Sequence, residues 1–152
     1  MNFFQKAKKS LGQNFLIDNN IINKIIEIGN INKDKTVMEI GPGYGNLTKA
    51  IISKTPKKFF AVEKDKKLSS VLEKKFKNYK NLKIINRDIL DIIEEKNLEQ
   101  NMVVFGNLPY NISTKILASL IMLKKWPPWY DVLILMFQKE VADRILAKKQ
   151  TK

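Results

Sequence analysis

The tetrapeptide Asn107-Leu108-Pro109-Tyr110 follows an apolar run and carries the groups suited to one difficult reaction, methylation of the exocyclic amine of adenine. The lone pair of that nitrogen is delocalised into the ring, which makes it a poor nucleophile. An amide oxygen from Asn107 and the backbone carbonyl of Leu108 can accept its protons and turn the lone pair toward a methyl group. Pro109 lacks an N–H and has a fixed φ, which helps hold that carbonyl outward. Tyr110 offers a ring on which a base rotated out of its helix or loop can stack. An ordinary strand-to-helix turn, with Asn and Pro as punctuation, is the competing explanation.

A second group lies earlier. Gly41, Gly43 and Gly45 let the backbone turn tightly off a short apolar run and approach a ligand, with N–H donors from the helix that follows. A mere glycine-rich turn has the same appearance. A dinucleotide fingerprint wants a third glycine where Asn46 stands, which removes the main support for a nicotinamide or flavin enzyme. Glu63 has two carboxylate oxygens suitably spaced for both hydroxyls of a ribose. Asp88 can accept an adenine amine, with Ile89 packing on the ring, and can equally cap a helix. Glu39 is unusual in a buried strand, where an unpaired charge is costly; it calls for backbone N–H partners or a place facing the cofactor pocket.

The chain has no histidine and no cysteine, so thiolate nucleophiles, imidazole or thiolate metal sites and Ser-His-Asp arrangements are excluded. Methyl transfer from a sulfonium tolerates this, because it needs neither a strong base nor a metal and draws its rate from positioning.

The spacing predicts the elements that must position these residues. Residues 18–28 form a helix capped by Asp18 and stopped at Gly29. Strands follow at 36–40, 59–63, 82–86, 102–106 and 132–137, and helices at 47–53, 66–79, 88–96, 113–123 and 139–147. Trp126-Pro127-Pro128-Trp129 is a stiff, packed connection. Strands alternating with helices predict a doubly wound α/β domain with a mostly parallel sheet. Ligands then bind beyond the carboxyl ends of the strands, where Gly41, Glu63, Asp88 and Asn107 should line one crevice.

The net charge is +13 and the pI near 9.8. A polyanionic partner fits this, as does a lysine-rich compositional bias with only two arginines, Arg87 and Arg144. From Lys54 to Lys83, eleven lysines face Glu63, Asp65 and Glu73, which describes a solvated helix face or an RNA contact. No signal-peptide core or membrane-length apolar run is visible, so a soluble, cytoplasmic protein is expected.

Together the segments Lys9-Ser-Leu-Gly-Gln-Asn-Phe-Leu16, Glu39-Ile-Gly-Pro-Gly-Tyr-Gly-Asn-Leu-Thr48, Val62-Glu-Lys64, Arg87-Asp88, Gly106-Asn-Leu-Pro-Tyr-Asn-Ile-Ser113 and Phe137-Gln-Lys-Glu-Val-Ala-Asp-Arg-Ile145 resemble the KsgA-type small-subunit ribosomal RNA adenine N6,N6-dimethyltransferases. The resemblance implies a Rossmann-like S-adenosyl-L-methionine methyltransferase domain that adds two methyl groups to each of two adjacent adenines near the 3′ end of small-subunit rRNA, without a metal. It assigns Asn14 and Leu16 to closing over the methionine part of the cofactor. It places Gly41, Gly43, Glu63, Lys64, Asp88, Ile89 and Asn107 at the cofactor, and Asn107 to Tyr110 also at the target adenine. Members of the family continue past this point with further strands and a helical C-terminal RNA-gripping domain, so residues 1–152 are expected to be an incomplete methyltransferase domain, monomeric, with an exposed sheet edge beside its fifth strand. The macrolide-resistance enzymes acting on large-subunit rRNA, and a non-catalytic RNA-binding assembly factor, are the alternatives.

Overall fold

The computed structural model describes residue 16, residues 18–95 and residues 97–147. The elements run α1 (Asn19–Gly29), β1 (Thr36–Ile40), α2 (Asn46–Ser53), β2 (Lys58–Val62), α3 (Lys66–Lys75), β3 (Leu82–Ile85), α4 (Ile89–Ile92), β4 (Met102–Asn107), α5 (Ser113–Ile121), β5 (Tyr130–Met136) and α6 (Lys139–Leu146). All five strands pair in parallel in the order β3-β2-β1-β4-β5, which leaves β3 and β5 at the edges among the described residues.

The period-two alternation of the strands explains the two-faced core. Val37, Phe59, Ala61, Val103 and Phe105 point to one face, where Ile22, Ile25 and Ile26 of α1 and Leu47 and Ile51 of α2 cover them. Met38, Ile40, Val62, Met102 and Val104 point to the other, beneath α4 and α5. β1 and β4 are buried along nearly their whole length, as strands covered on both sides must be.

Several elements differ in extent from the expectation, α3, α4 and β5 among them, and α5 ends two residues early at Ile121. α3 ends at Lys75, because Phe76 turns into the core and Tyr79 N–H donates to the Phe76 carbonyl in a turn that leads to β3. α4 is a single turn, capped by Asp88, whose Oδ1 accepts from Leu90 N–H. β5 starts two residues early at Tyr130, paired to Met102 across an irregularity in register. The connection before it is packed at one end only: Trp129 is buried and donates Nε1–H to the Ile93 carbonyl at 3.1 Å, whereas Trp126 is 70% exposed.

Candidate active site

Sheet order reverses between β1 and β4, and a cleft of about 450 Å³ opens beyond the carboxyl ends of the strands near that point. Gly41 follows β1, Glu63 and Lys64 follow β2, Asp88 and Ile89 follow β3, and Pro109 follows β4; all six line this one cleft. Its walls are apolar where Ile40, Val62, Ile112 and Ile116 face it, and charged around Glu63 and Asp88.

The glycine turn is built by its neighbours. Gly41 has φ +69°, and its N–H donates to the Val62 carbonyl at 2.9 Å. A Cβ at Gly41 would sit 3.6 Å from the Asn107 carbonyl, so the bare backbone of the turn lies against the end of β4. At Gly45, φ is +80° and a Cβ would come within 2.6 Å of Phe76 Cε2. α3 therefore braces the turn from below, and Lys75 Nζ donates to the Tyr44 carbonyl at 2.6 Å. Burial, with a smaller contribution from the Lys49 charge, lowers the pKa of Lys75.

Glu63 is buried, and both its oxygens accept backbone N–H groups: Oε1 from Asp65 at 2.8 Å and Oε2 from Gly43 at 3.2 Å. Burial outweighs these bonds and raises its pKa above the ordinary carboxylate value. The Lys64 N–H also acts on this carboxylate, which with three backbone donors still has acceptor capacity for a hydroxyl. Asn86 Nδ2 donates to the Glu63 carbonyl at 2.8 Å and fixes the bend between strand and cleft. Asp88 Oδ2 accepts from Lys64 Nζ at 2.7 Å while Oδ1 caps α4. Burial acts to raise the Asp88 pKa, but the Lys64 ammonium and the Leu90 N–H prevail and the net shift is downward. The helix-cap and ligand roles of Asp88 are thus compatible.

Glu39 departs from the expectation. Its side chain does not line the cleft, and the partner of its Oε2 is the Thr48 hydroxyl, donating at 2.7 Å. Complete burial, opposed by that hydrogen bond and reinforced by the Glu63 charge, pushes its pKa to about 8. A neutral carboxyl needs no array of backbone donors, which resolves the apparent burial of a charge.

The tetrapeptide divides between core and surface. Leu108 is buried in the core, Pro109 lines the cleft, and Tyr110 is 50% exposed at the rim, its carbonyl accepting from Ser113 Oγ at 3.3 Å. Gly43, Asn107, Leu108 and Tyr110 adjoin the cleft without lining it. Leu16 is tied to the glycine turn through Asn46 Nδ2, which donates to its carbonyl at 2.8 Å; Asn14 lies outside the described residues. Sequence reasoning missed Thr48, Lys75 and Asn86 as supports. The strand-end position of Asn86 is a local signal, but Lys75 acts across 31 residues and has none. Among the described residues, no group of three or more His, Cys, Asp and Glu side chains is arranged to hold a metal, and no helix is long and apolar enough to cross a membrane.

Parallel order, glycine turn and strand-end acids define a Rossmann-like fold of the S-adenosylmethionine methyltransferase class. The chain belongs to the ribosomal RNA adenine dimethylase family, whose model matches residues 4–152. It is 54% identical over 145 residues to ribosomal RNA small subunit methyltransferase A of Pelagibacter ubique, covering 95% of this chain and 54% of that protein. The chain spans about half the length of the curated relatives it matches. Among solved structures, a dimethyladenosine transferase from Plasmodium falciparum superposes with a TM-score of 0.73 at 32% identity, covering 89% of this chain and 47% of that one. The 23S rRNA methyltransferase ErmE gives a TM-score of 0.73 at 26% identity, covering 86% and 50%.

Proposed function

We propose that this chain is the cofactor-binding and methyl-transferring part of an enzyme that dimethylates N6 of two adjacent adenines near the 3′ end of small-subunit rRNA. One observation carries the reading: the ends of four successive strands bring Gly41, Glu63, Asp88 and Pro109 to a single cleft, with the Asn107 carbonyl beside Gly41.

The residues present fit S-adenosyl-L-methionine. The bare backbone at Gly41 borders the cleft beside the end of β4, Glu63 has acceptor capacity left for a ribose hydroxyl, and the cleft pairs an ionised acid at Asp88 with an apolar wall at Ile89 for an adenine. When bound, the cofactor supplies an electrophilic methyl group on a sulfonium. Lys64 keeps Asp88 ionised as an acceptor for an exocyclic amine. Asn107 and the Leu108 carbonyl accept the amino protons of the target base and orient its nitrogen, and Tyr110, already half out of the protein, stacks on that base. No step in this scheme calls on a metal. The partner is the small ribosomal subunit, met in the cytoplasm by a monomer.

The large-subunit reading shares the fold, but the 54% identity to a small-subunit methyltransferase against 26% to ErmE favours the small subunit. The test is transfer of label from S-adenosylmethionine to ribosomal subunits lacking the modification, by this chain alone and by this chain joined to the C-terminal half of the Pelagibacter ubique relative. Labelled dimethyladenosine in small-subunit rRNA is expected. Label confined to large-subunit rRNA, or cofactor binding without transfer by the joined form, refutes the proposal.

A further inference from the structure

At the opposite end of the sheet, where β2 and β3 begin, a groove of about 320 Å³ is lined by Thr55, Pro56, Asn78, Tyr79, Lys80 and Asn81, among others. Its surroundings are unusually one-signed. Of the three acids within residues 54–83, Glu63 is buried at the cofactor cleft and Asp65 caps α3, accepting from Lys67 and Leu68 N–H. Within the stretch only Glu73 is left to offset the surface lysines, and from outside it Glu99 pairs with Lys58 at the start of β2. Lys54, Lys57, Lys74, Lys77, Lys80 and Lys83 are all exposed and form no ion pair among the described residues. Unpaired lysines also occur elsewhere on the chain; what distinguishes this stretch is their density beside an exposed aromatic and a groove.

Tyr79 stands in the middle of it. Its ring is 48% exposed, yet it is held in place. Tyr79 N–H donates to the Phe76 carbonyl at 3.0 Å, its own carbonyl accepts from Leu82 N–H at 3.1 Å, and the ring meets buried Phe76 edge-on at 6.1 Å. The hydroxyl has no protein partner among the described residues, and neither does the Asn78 amide. A fixed, exposed aromatic beside the Asn78 amide, on a lysine-rich segment with Lys80 in the groove itself, is the chemistry that receives an unstacked base while lysines neutralise the flanking phosphates.

We propose that this face is a second RNA-binding surface, separate from the catalytic cleft, which holds a single-stranded stretch of RNA with one base stacked on Tyr79. The choice of RNA as partner rests on the proposed function; the surface itself rests on its own residues. Lying at the amino ends of the strands, it engages RNA remote from the adenine being methylated and adds to the grip on a large substrate.

Binding of this chain to a fluorescently labelled single-stranded RNA of about a dozen nucleotides and to an RNA duplex, read by anisotropy across a salt series, tests this. Tyr79→Ala is expected to weaken single-strand binding about ten-fold, within the range for one lost base stack, and to leave duplex binding unchanged. K77E together with K80E is expected to flatten the salt dependence by about 0.7 in log–log slope for each phosphate that is no longer neutralised. Lys124→Glu with Lys125→Glu, which changes charge equally at a different exposed site, should leave the single-strand affinity within about two-fold of the unmodified chain if the effect is local. Unchanged binding by Tyr79→Ala overturns the stacking site. Equal losses from the two charge reversals, or losses from K77E with K80E on duplex alone, overturn the surface as a single-strand site. S-adenosylmethionine binding measured on the same variants separates the two proposals: its absence in the unmodified chain counts against the methyltransferase reading, and its retention with unchanged RNA binding counts against this surface only.

Discussion

Thr48 Oγ1 donates a hydrogen bond to Glu39 Oε2 at 2.7 Å with both side chains out of contact with water, joining the first turn of α2 to β1 directly beneath the glycine turn. Glu39 therefore carries its proton at neutral pH, because burial has moved its pKa from 4.5 to about 8. The folded chain keeps a proton that the unfolded chain releases, so this group's contribution is fully present below pH 4.5, declines as pH rises, and is gone above about 8. Glu39→Gln is expected to flatten the fall in urea midpoint between pH 5 and 8. An unaltered slope would show that Glu39 is not the titrating group. Thr48→Val removes the donor and should destabilise by about 1–3 kcal/mol, read from the same urea curves.

The glycines of the turn should not be equivalent. Gly45→Ala combines a left-handed φ with a Cβ driven to 2.6 Å from Phe76 and 2.8 Å from Leu72, and is expected to cost about 3 kcal/mol or more. At Gly41 the nearest atom is 3.6 Å away, so Gly41→Ala should cost only the conformational strain of about 1–2 kcal/mol while weakening cofactor binding, since Gly41 lines the cleft. Equal melting temperatures for the two variants would contradict the packing of α3 against Gly45.

Lys64 is mostly exposed and Asp88 mostly covered, so their ion pair is expected to matter for binding rather than for stability. Lys64→Met should change unfolding free energy by less than about 1 kcal/mol. It should also weaken S-adenosylmethionine binding on the acid side. The depressed pKa of Asp88 means that its contribution is present above the ordinary carboxylate pKa and is lost only as pH falls through the lowered folded value. Removing Lys64 moves that loss to higher pH. A cofactor titration repeated across pH 4 to 7 detects it, and identical acid limbs would exclude the coupling.

The connection before β5 provides a matched pair. Trp129→Phe loses a buried N–H bond to the Ile93 carbonyl and should destabilise by about 1–3 kcal/mol, whereas Trp126→Ala, at an exposed ring, should change stability by less than about 0.5 kcal/mol in thermal or urea unfolding.

The meeting of the strand-end residues was readable because a parallel sheet converts sequence order into spatial adjacency: Gly41, Glu63 and Asp88 each follow a short apolar run, and their convergence needs only the topology. The end of α3 was not readable, because Phe76 looks like continuing helix and instead leaves helical angles to pack in the core. Nor was the neutral state of Glu39, which comes from its complete burial and prevails over the opposing hydrogen bond from Thr48 nine residues away. Lys75 reaching the Tyr44 carbonyl from the far end of α3 is an interaction that no local pattern announces. The one-signed face around Tyr79 was visible as a lysine run, but its separation from the cleft was not.

Asn107 is the residue on which the proposed chemistry turns. With the chain joined to the C-terminal half of its Pelagibacter ubique relative, Asn107→Ala is expected to lower the rate of label transfer from S-adenosylmethionine to small-subunit rRNA at least about a hundred-fold, while the thermal melt stays that of the unmodified protein. Turnover within a few-fold of the unmodified enzyme would contradict it.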